Sequence, residues 1–201
     1  MRFRPIALCV LVAAVSASGA IPSAAAPGVE WVDPAGDATA LPGMESSPRP
    51  SDPELDILKV SFATGDVNLS ASMRFERINY APGSEGSAYR FYFSFKEQRY
   101  YFEALMGSTE YVTVFGAEPG FYREGTGDSA DEKLQCRCTN DFDFKGGRVT
   151  FKVSKVDVAR ALRMSDFGFE LTALEGRALR TTVEKFEADI ARAPEGTTLR
   201  V

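Results

Sequence analysis

VNLSASMRFER at Val67–Arg77 and YRFYFSFKEQRYYFEALM at Tyr89–Met106 decide the fold of this chain. In the first stretch Leu69, Ala71, Met73 and Phe75 alternate with Ser70, Ser72, Arg74 and Glu76. In the second, Phe91, Phe93 and Phe95 alternate with Tyr92, Ser94 and Lys96, and then Tyr100, Phe102, Ala104 and Met106 alternate with Tyr101, Glu103 and Leu105. A period of two sends successive side chains to opposite faces of a strand. Three such runs joined by turn-rich links make the centre of an antiparallel sheet. A face this rich in phenylalanine must be covered, most simply by a second sheet.

Working outward, Val29, Trp31 and Val32 suit a short edge strand, and Asp33-Pro34-Ala35-Gly36-Asp37 reads as a tight turn. Thr39–Pro53 is a loop, because its prolines cannot join a ladder. Leu55–Phe62 is a strand of imperfect period: Leu58, Val60 and Phe62 share one face, Leu55 and Ile57 the other. Either both faces are covered at its start or a bulge shifts the register. Thr64-Gly65-Asp66 is a hairpin turn, Asn79–Ala88 a surface loop, and a hairpin forms around Glu97-Gln98.

Downstream, Tyr111–Phe115 reads as a short strand and the polar Glu118–Asp131 as a long turn. Leu134–Thr139 and Phe142–Phe144 are weaker strand candidates, and Val149–Val153 alternates cleanly. Val156–Met164 suits a short helical turn. Phe167–Ala173 returns to alternation, with Phe167, Phe169, Leu171 and Ala173 on one face. Thr182–Ala193 reads equally as a helix or as an irregular loop before a last strand at Thr198–Val201. The count of short strands predicts an all-β, two-sheet β-sandwich with a short helical turn.

Arg2 and Arg4, the apolar run Ile6–Val15 and the small residues Ser23-Ala24-Ala25 have the pattern of a secretory signal peptide over residues 1–25. The apolar run is short for a bilayer span. Residues 26–201 then form a single domain, expected to be secreted or extracellular. Losing Arg2 and Arg4 without any carboxylate moves the formal net charge from −5 to −7. Such acidity disfavours nonspecific nucleic-acid binding. Asn68-Leu69-Ser70 matches a glycosylation sequon.

The chain contains 0 histidines, which removes the usual neutral-pH base and any serine–histidine or cysteine–histidine nucleophile. Paired carboxylates remain available to a glycosidase from Glu97, Glu103, Glu110 and Glu170, although nothing marks one as buried or paired and each is better explained as a solvated surface group. Asp33, Asp37, Asp52 and Asp56 are the best polar group: a loop folding back would gather their oxygens around Ca²⁺, whereas local capping of the turn explains them without a metal. Asp128, Asp131, Asp141 and Asp143 lack the spacing of a helix–loop–helix calcium loop. Tyr89, Tyr92 and Tyr101 lie on outward rows, where exposed rings would stack on sugars with help from Arg90, Lys96, Arg99 and Glu103; cross-strand packing or contact under a loop is the stronger explanation. Trp31 suits either a core plug or a ligand platform. Cys136 and Cys138 can pair in a very small ring, stay free, bond between molecules or form a redox centre.

Trp31-Val32-Asp33-Pro34-Ala35-Gly36-Asp37, then Leu55-Asp56-Ile57-Leu58-Lys59-Val60, Gly65, the Leu69–Phe75 strand and the Tyr/Phe-rich hairpin resemble the β-sandwich modules of carbohydrate-binding module family 9 and DOMON domains. The resemblance covers residues 29–115 best and implies an immunoglobulin-like or jelly-roll sandwich of an exported bacterial protein. It also implies a ligand site on one sheet face or end, and structural or calcium-related roles for Asp33, Asp37 and Asp56. Haem binding, known in some DOMON members, would rest here on Met73, Met106 or Met164. The expectation is a secreted, non-catalytic binding or accessory module for an extracellular glycan or protein surface, with a structural Ca²⁺. The alternatives are a protein-interaction domain and a carboxylate glycosidase.

Overall fold

The structure is a computed structural model and describes residues 28–40, 55–78, 87–109, 112–127, 129–181 and 186–201. Residues 1–25, read above as a signal peptide, and Asp52, Glu110, Tyr111 and Asp128 lie outside these residues. Thirteen strands and one helix follow in chain order: β1 (Gly28–Val32), β2 (Thr39–Ala40), β3 (Ile57–Thr64), β4 (Asn68–Phe75), β5 (Ser87–Phe95), β6 (Gln98–Thr109), β7 (Val112–Arg123), β8 (Glu132–Leu134), β9 (Cys138–Asp143), β10 (Arg148–Ser154), α1 (Lys155–Ala161), β11 (Glu170–Thr181), β12 (Phe186–Arg192) and β13 (Leu199–Arg200). They build a two-sheet antiparallel sandwich. The smaller sheet has the order β1-β3-β4-β10-β9, the larger β2-β12-β11-β5-β6-β7-β8, with β13 added on β11.

The phenylalanine rows seal the space between the sheets. Phe91, Phe93 and Phe102 of the larger sheet are 0% exposed, as are Met73, Val149 and Phe151 opposite. Across the interior Phe102 stacks on Phe151 at 4.9 Å, Phe75 meets Tyr89 edge-on at 5.2 Å, and Phe62 meets Phe91 edge-on at 6.2 Å. Each such ring contributes roughly 1.5–3 kcal/mol by leaving water. Trp31 closes the edge of the smaller sheet as a core plug, stacked on Phe62 at 6.0 Å. Gly176 stands tight against the opposite sheet: a Cβ there would lie 2.8 Å from Val60 Cγ2 and 3.1 Å from Met73 Cε.

Bulges explain where the strands depart from plain alternation. β3 shifts register between Ile57 and Lys59, which lets Ile57 and Val60 both be buried. The β5–β6 hairpin turns at Lys96 and Glu97, both with positive φ (48° and 66°) and neither a glycine, one residue earlier than the Glu97-Gln98 reading. Residues 118–123, expected in a long turn, instead end β7. Pro119 is tolerated because it falls between the Ala117–Leu105 and Gly120–Glu103 pairs, where the register shifts. The expected Phe167–Ala173 face is also corrected. Phe167 is 56% exposed and precedes β11, and Ala173 (φ 46°) sits in a bulge between Thr172 and Glu175 that turns Leu174 inward in its place. The stretch read as helix or loop carries β12.

Gly176→Ala is expected to cost about 1–3 kcal/mol by overpacking, and Phe93→Ala about 3–5 kcal/mol by opening a cavity. Val67→Ala, at a side chain 69% exposed, should be close to neutral. Urea unfolding of the three variants tests this order, and a neutral Gly176→Ala would contradict the close approach.

Candidate metal centre

The turn after β1 and the opposite sheet build one acidic site between them. Asp33 follows β1 directly, and its backbone N–H donates to Leu58 O at 3.1 Å, fixing it beside β3. Pro34 and Gly36 (φ 85°) reverse the chain and bring Asp37 back over Asp33. The turn is held from across the chain: Gly36 N–H donates to both carboxylate oxygens of Asp56, at 2.8 and 2.9 Å. The third carboxylate comes from the larger sheet. Asp189 on β12 accepts from Ile57 N–H at 2.7 Å through Oδ2 and from Ile190 N–H at 2.7 Å through Oδ1.

One carboxylate oxygen each from Asp33, Asp37 and Asp189 lie within 4.8 Å of one another, and no other group of this kind occurs among the described residues. Asp33 and Asp189 are buried (9% and 4% exposed), while Asp37 is open to solvent. Asp33 Oδ2 is buried with no hydrogen-bond partner among the described residues. An oxygen in that state costs about 1–3 kcal/mol, more when charged. Burial pushes the Asp33 carboxyl up to about 7, helped by the charges of Asp189, Asp37 and Asp56. Burial likewise raises Asp189 to about 6, against its backbone donors, which favour the charged form. Above those values the cluster is a set of crowded hard oxygen donors, the donor type that suits Ca²⁺, Mg²⁺ or Mn²⁺.

Of the four aspartates singled out in the sequence, Asp33 and Asp37 converge and Asp56 serves as the clasp of their turn. Asp189 was missed, because its strand lies in the stretch read as helix or loop. The available signal was a charged residue between Ala188 and Ile190 on the same face as the buried Ala191. The second acidic region does not gather: Asp131 accepts from Tyr101 Oη and Gly125 N–H, and Asp143 from Gly146 N–H.

The tyrosine rows are not exposed platforms. Tyr89 is 0% exposed inside the core, and Tyr92 and Tyr101 are 2% exposed although they lie on the outer face of the larger sheet. Guanidinium groups cover them: Arg99 and Arg177 sit 4.3 and 4.6 Å from the Tyr92 ring centre, and Arg90 lies 4.8 Å from that of Tyr101. Glu103 is bound by Arg90 at 2.6 Å, whereas Glu97 and Glu170 are exposed. Cys136 and Cys138 are bonded to each other. No helix among the described residues is long and apolar enough to cross a membrane. Comparison with models of known families, with characterised proteins and with solved structures returns no match.

A carboxyl whose proton is held more tightly in the folded state stabilises at low pH, and that contribution fades as pH rises through the folded value. Without divalent cations, the melting temperature is therefore expected to fall between about pH 4 and pH 7, and Asp33→Asn should flatten much of that slope. Thermal melts of both proteins in chelator across this range check it; a wild-type slope equal to that of Asp33→Asn would contradict the raised Asp33 value.

Proposed function

We propose that this chain is an exported, non-catalytic β-sandwich module, related in design to family 9 carbohydrate-binding modules and DOMON domains, whose two sheets are clasped by a structural Ca²⁺ at Asp33, Asp37 and Asp189. The observation that carries this reading is the buried Asp33 Oδ2, without a hydrogen-bond partner among the described residues, in a carboxyl gathered with those of Asp37 and Asp189. A cation would give that oxygen its missing partner and relieve the like-charge crowding. Oxygen-only donors favour a hard cation; the chain has no histidine, and the cysteines among the described residues are bonded to each other, so neither competes there for a softer one.

The buried carboxylates outside the cluster support a non-catalytic role, since Glu103 and Glu175 are each engaged by arginine. Export rests on the signal-like residues 1–25. Recognition of a glycan or protein surface outside the cell belongs to this reading. Sugar stacking on Tyr92 and Tyr101 does not, because guanidiniums already occupy their faces.

A ligand bound only by the folded state at about 100 times its Kd adds about 2.7 kcal/mol. In a chain of this size that is a melting shift of about 5–10 °C. Ca²⁺ should raise the melting temperature at pH 7.5 by that order, and chelator should reverse the rise. Asp189→Asn and Asp37→Asn should each remove most of it. Equal melting in Ca²⁺ and in chelator would overturn the clasp.

A further inference from the structure

A groove on the outer face of the larger sheet, about 630 Å³ in volume, is walled by the β11 bulge, Arg99, Arg177, Arg192 and the 193–197 turn. At its floor the Glu175 side chain is 9% exposed and holds three guanidiniums at once. Arg99 donates through Nη2 at 2.8 Å and Arg192 through Nε at 3.2 Å, and Arg177 donates through Nε to the same oxygen as Arg99. The guanidiniums of Arg99 and Arg177 also lie over the Tyr92 ring. The three side chains nevertheless keep 30%, 21% and 68% of their surface open, in the order Arg99, Arg177, Arg192.

Two features go beyond what neutralising a buried glutamate requires. One carboxylate cannot balance three guanidiniums. Glu195 also lines the groove and Glu124 lies 3.7 Å from Arg99, but Glu175 is the only carboxylate that bonds Arg177 and Arg192 among the described residues. Arg177 and Arg192 spend only their Nε–H on it, so their paired Nη donors have no partner among the described residues. The second feature is backbone strain. The bulge that turns Glu175 under the arginines holds Ala173 at φ 46°, a conformation that is strained for a non-glycine residue and concentrated at functional sites.

We propose that this groove binds the oxyanion of an extended ligand, seated on the Nη donors of Arg177 and Arg192, with Glu175 holding both guanidiniums and the Tyr92 ring backing that of Arg177. Planar, pre-aligned guanidiniums match a carboxylate or a phosphate bidentately, so an acidic sugar and a phosphorylated ligand share the required chemistry. The site lies apart from the aspartate cluster and does not depend on Ca²⁺.

Isothermal titration of the exported chain at low ionic strength, with inorganic phosphate, digalacturonate and cellobiose as probes, tests the proposal. At least one anion should bind saturably, neutral cellobiose should not, and added salt should weaken binding. Arg192→Gln, at a side chain 68% exposed, leaves the fold intact by circular dichroism and should weaken the anion at least fivefold; Arg192→Lys should recover part of that loss. A preference for digalacturonate identifies an acidic glycan, and a preference for phosphate a phosphate-bearing ligand. Absence of saturable binding by either anion, equal binding of cellobiose, or unchanged affinity in both Arg192→Gln and Arg177→Gln would overturn it.

Discussion

Closing this sandwich forces carboxylates of two different sheets into one small, dry space. Asp33 leaves the smaller sheet at the end of β1, and Asp189 enters from β12 of the larger. The same backbone stretch fixes both, since Leu58 O accepts from Asp33 N–H and Ile57 N–H donates to Asp189. The bulge in β3 at Ile57 therefore sets the spacing of the acidic pair as well as the packing of the core. Like charges brought this close are tolerated only with a shared proton or a bound cation. The raised values of Asp33 and Asp189 describe the first solution, which fails as pH rises above them. A divalent cation is the solution that persists at neutral pH.

The two faces of the larger sheet use aromatic residues in different ways. Inward, rings pack on rings across the interior. Outward, Tyr92, Tyr101 and Tyr122 form a row, 4.9 Å between neighbouring centres, the first pair tilted and the second stacked, with arginines over Tyr92 and Tyr101. Buried Glu103 and Glu175 then anchor those arginines. The central strands β5 and β6 are thus covered on both sides without a third layer of backbone, the long apolar stems of arginine doing the covering. The outer face that results is positively charged around Glu175, although the chain as a whole carries a net charge of −5.

Most of the strands were legible because a two-residue period with one dry face leaves little freedom of register. Phe91, Phe93 and Phe95 lie inward as their alternation requires, and Val149–Val153 and the Val156 helical turn fall where they were read. Legibility failed where the backbone leaves that period. Ala173 looked like the last inward residue of a regular strand, but the bulge beside it exchanged its place with Leu174. Pro119 argued for a turn and sits in a strand, at a register step where it pairs with no residue of β6. Tyr92 and Tyr101 were read as outward and lie on that face, whereas Tyr89, read with them, shares the parity of Phe91 and points into the core; burial of the outer pair beneath arginines from β5, β6 and β11 depends on cross-strand neighbours that a linear sequence does not display. The metal centre was half legible for the same reason. Asp33 and Asp37 share one turn, whereas Asp189 joins them only through the pairing of strands far apart in the chain.

The most direct test of the account is a crystal structure at neutral pH grown with Mn²⁺ in place of Ca²⁺, with an anomalous difference map. The account predicts a single strong peak bonded to carboxylate oxygens of Asp33, Asp37 and Asp189, between the two sheets. The three carboxylates gathered as described here with no peak among them, or an ion bound elsewhere while Asp33 and Asp189 share a hydrogen bond, would contradict it.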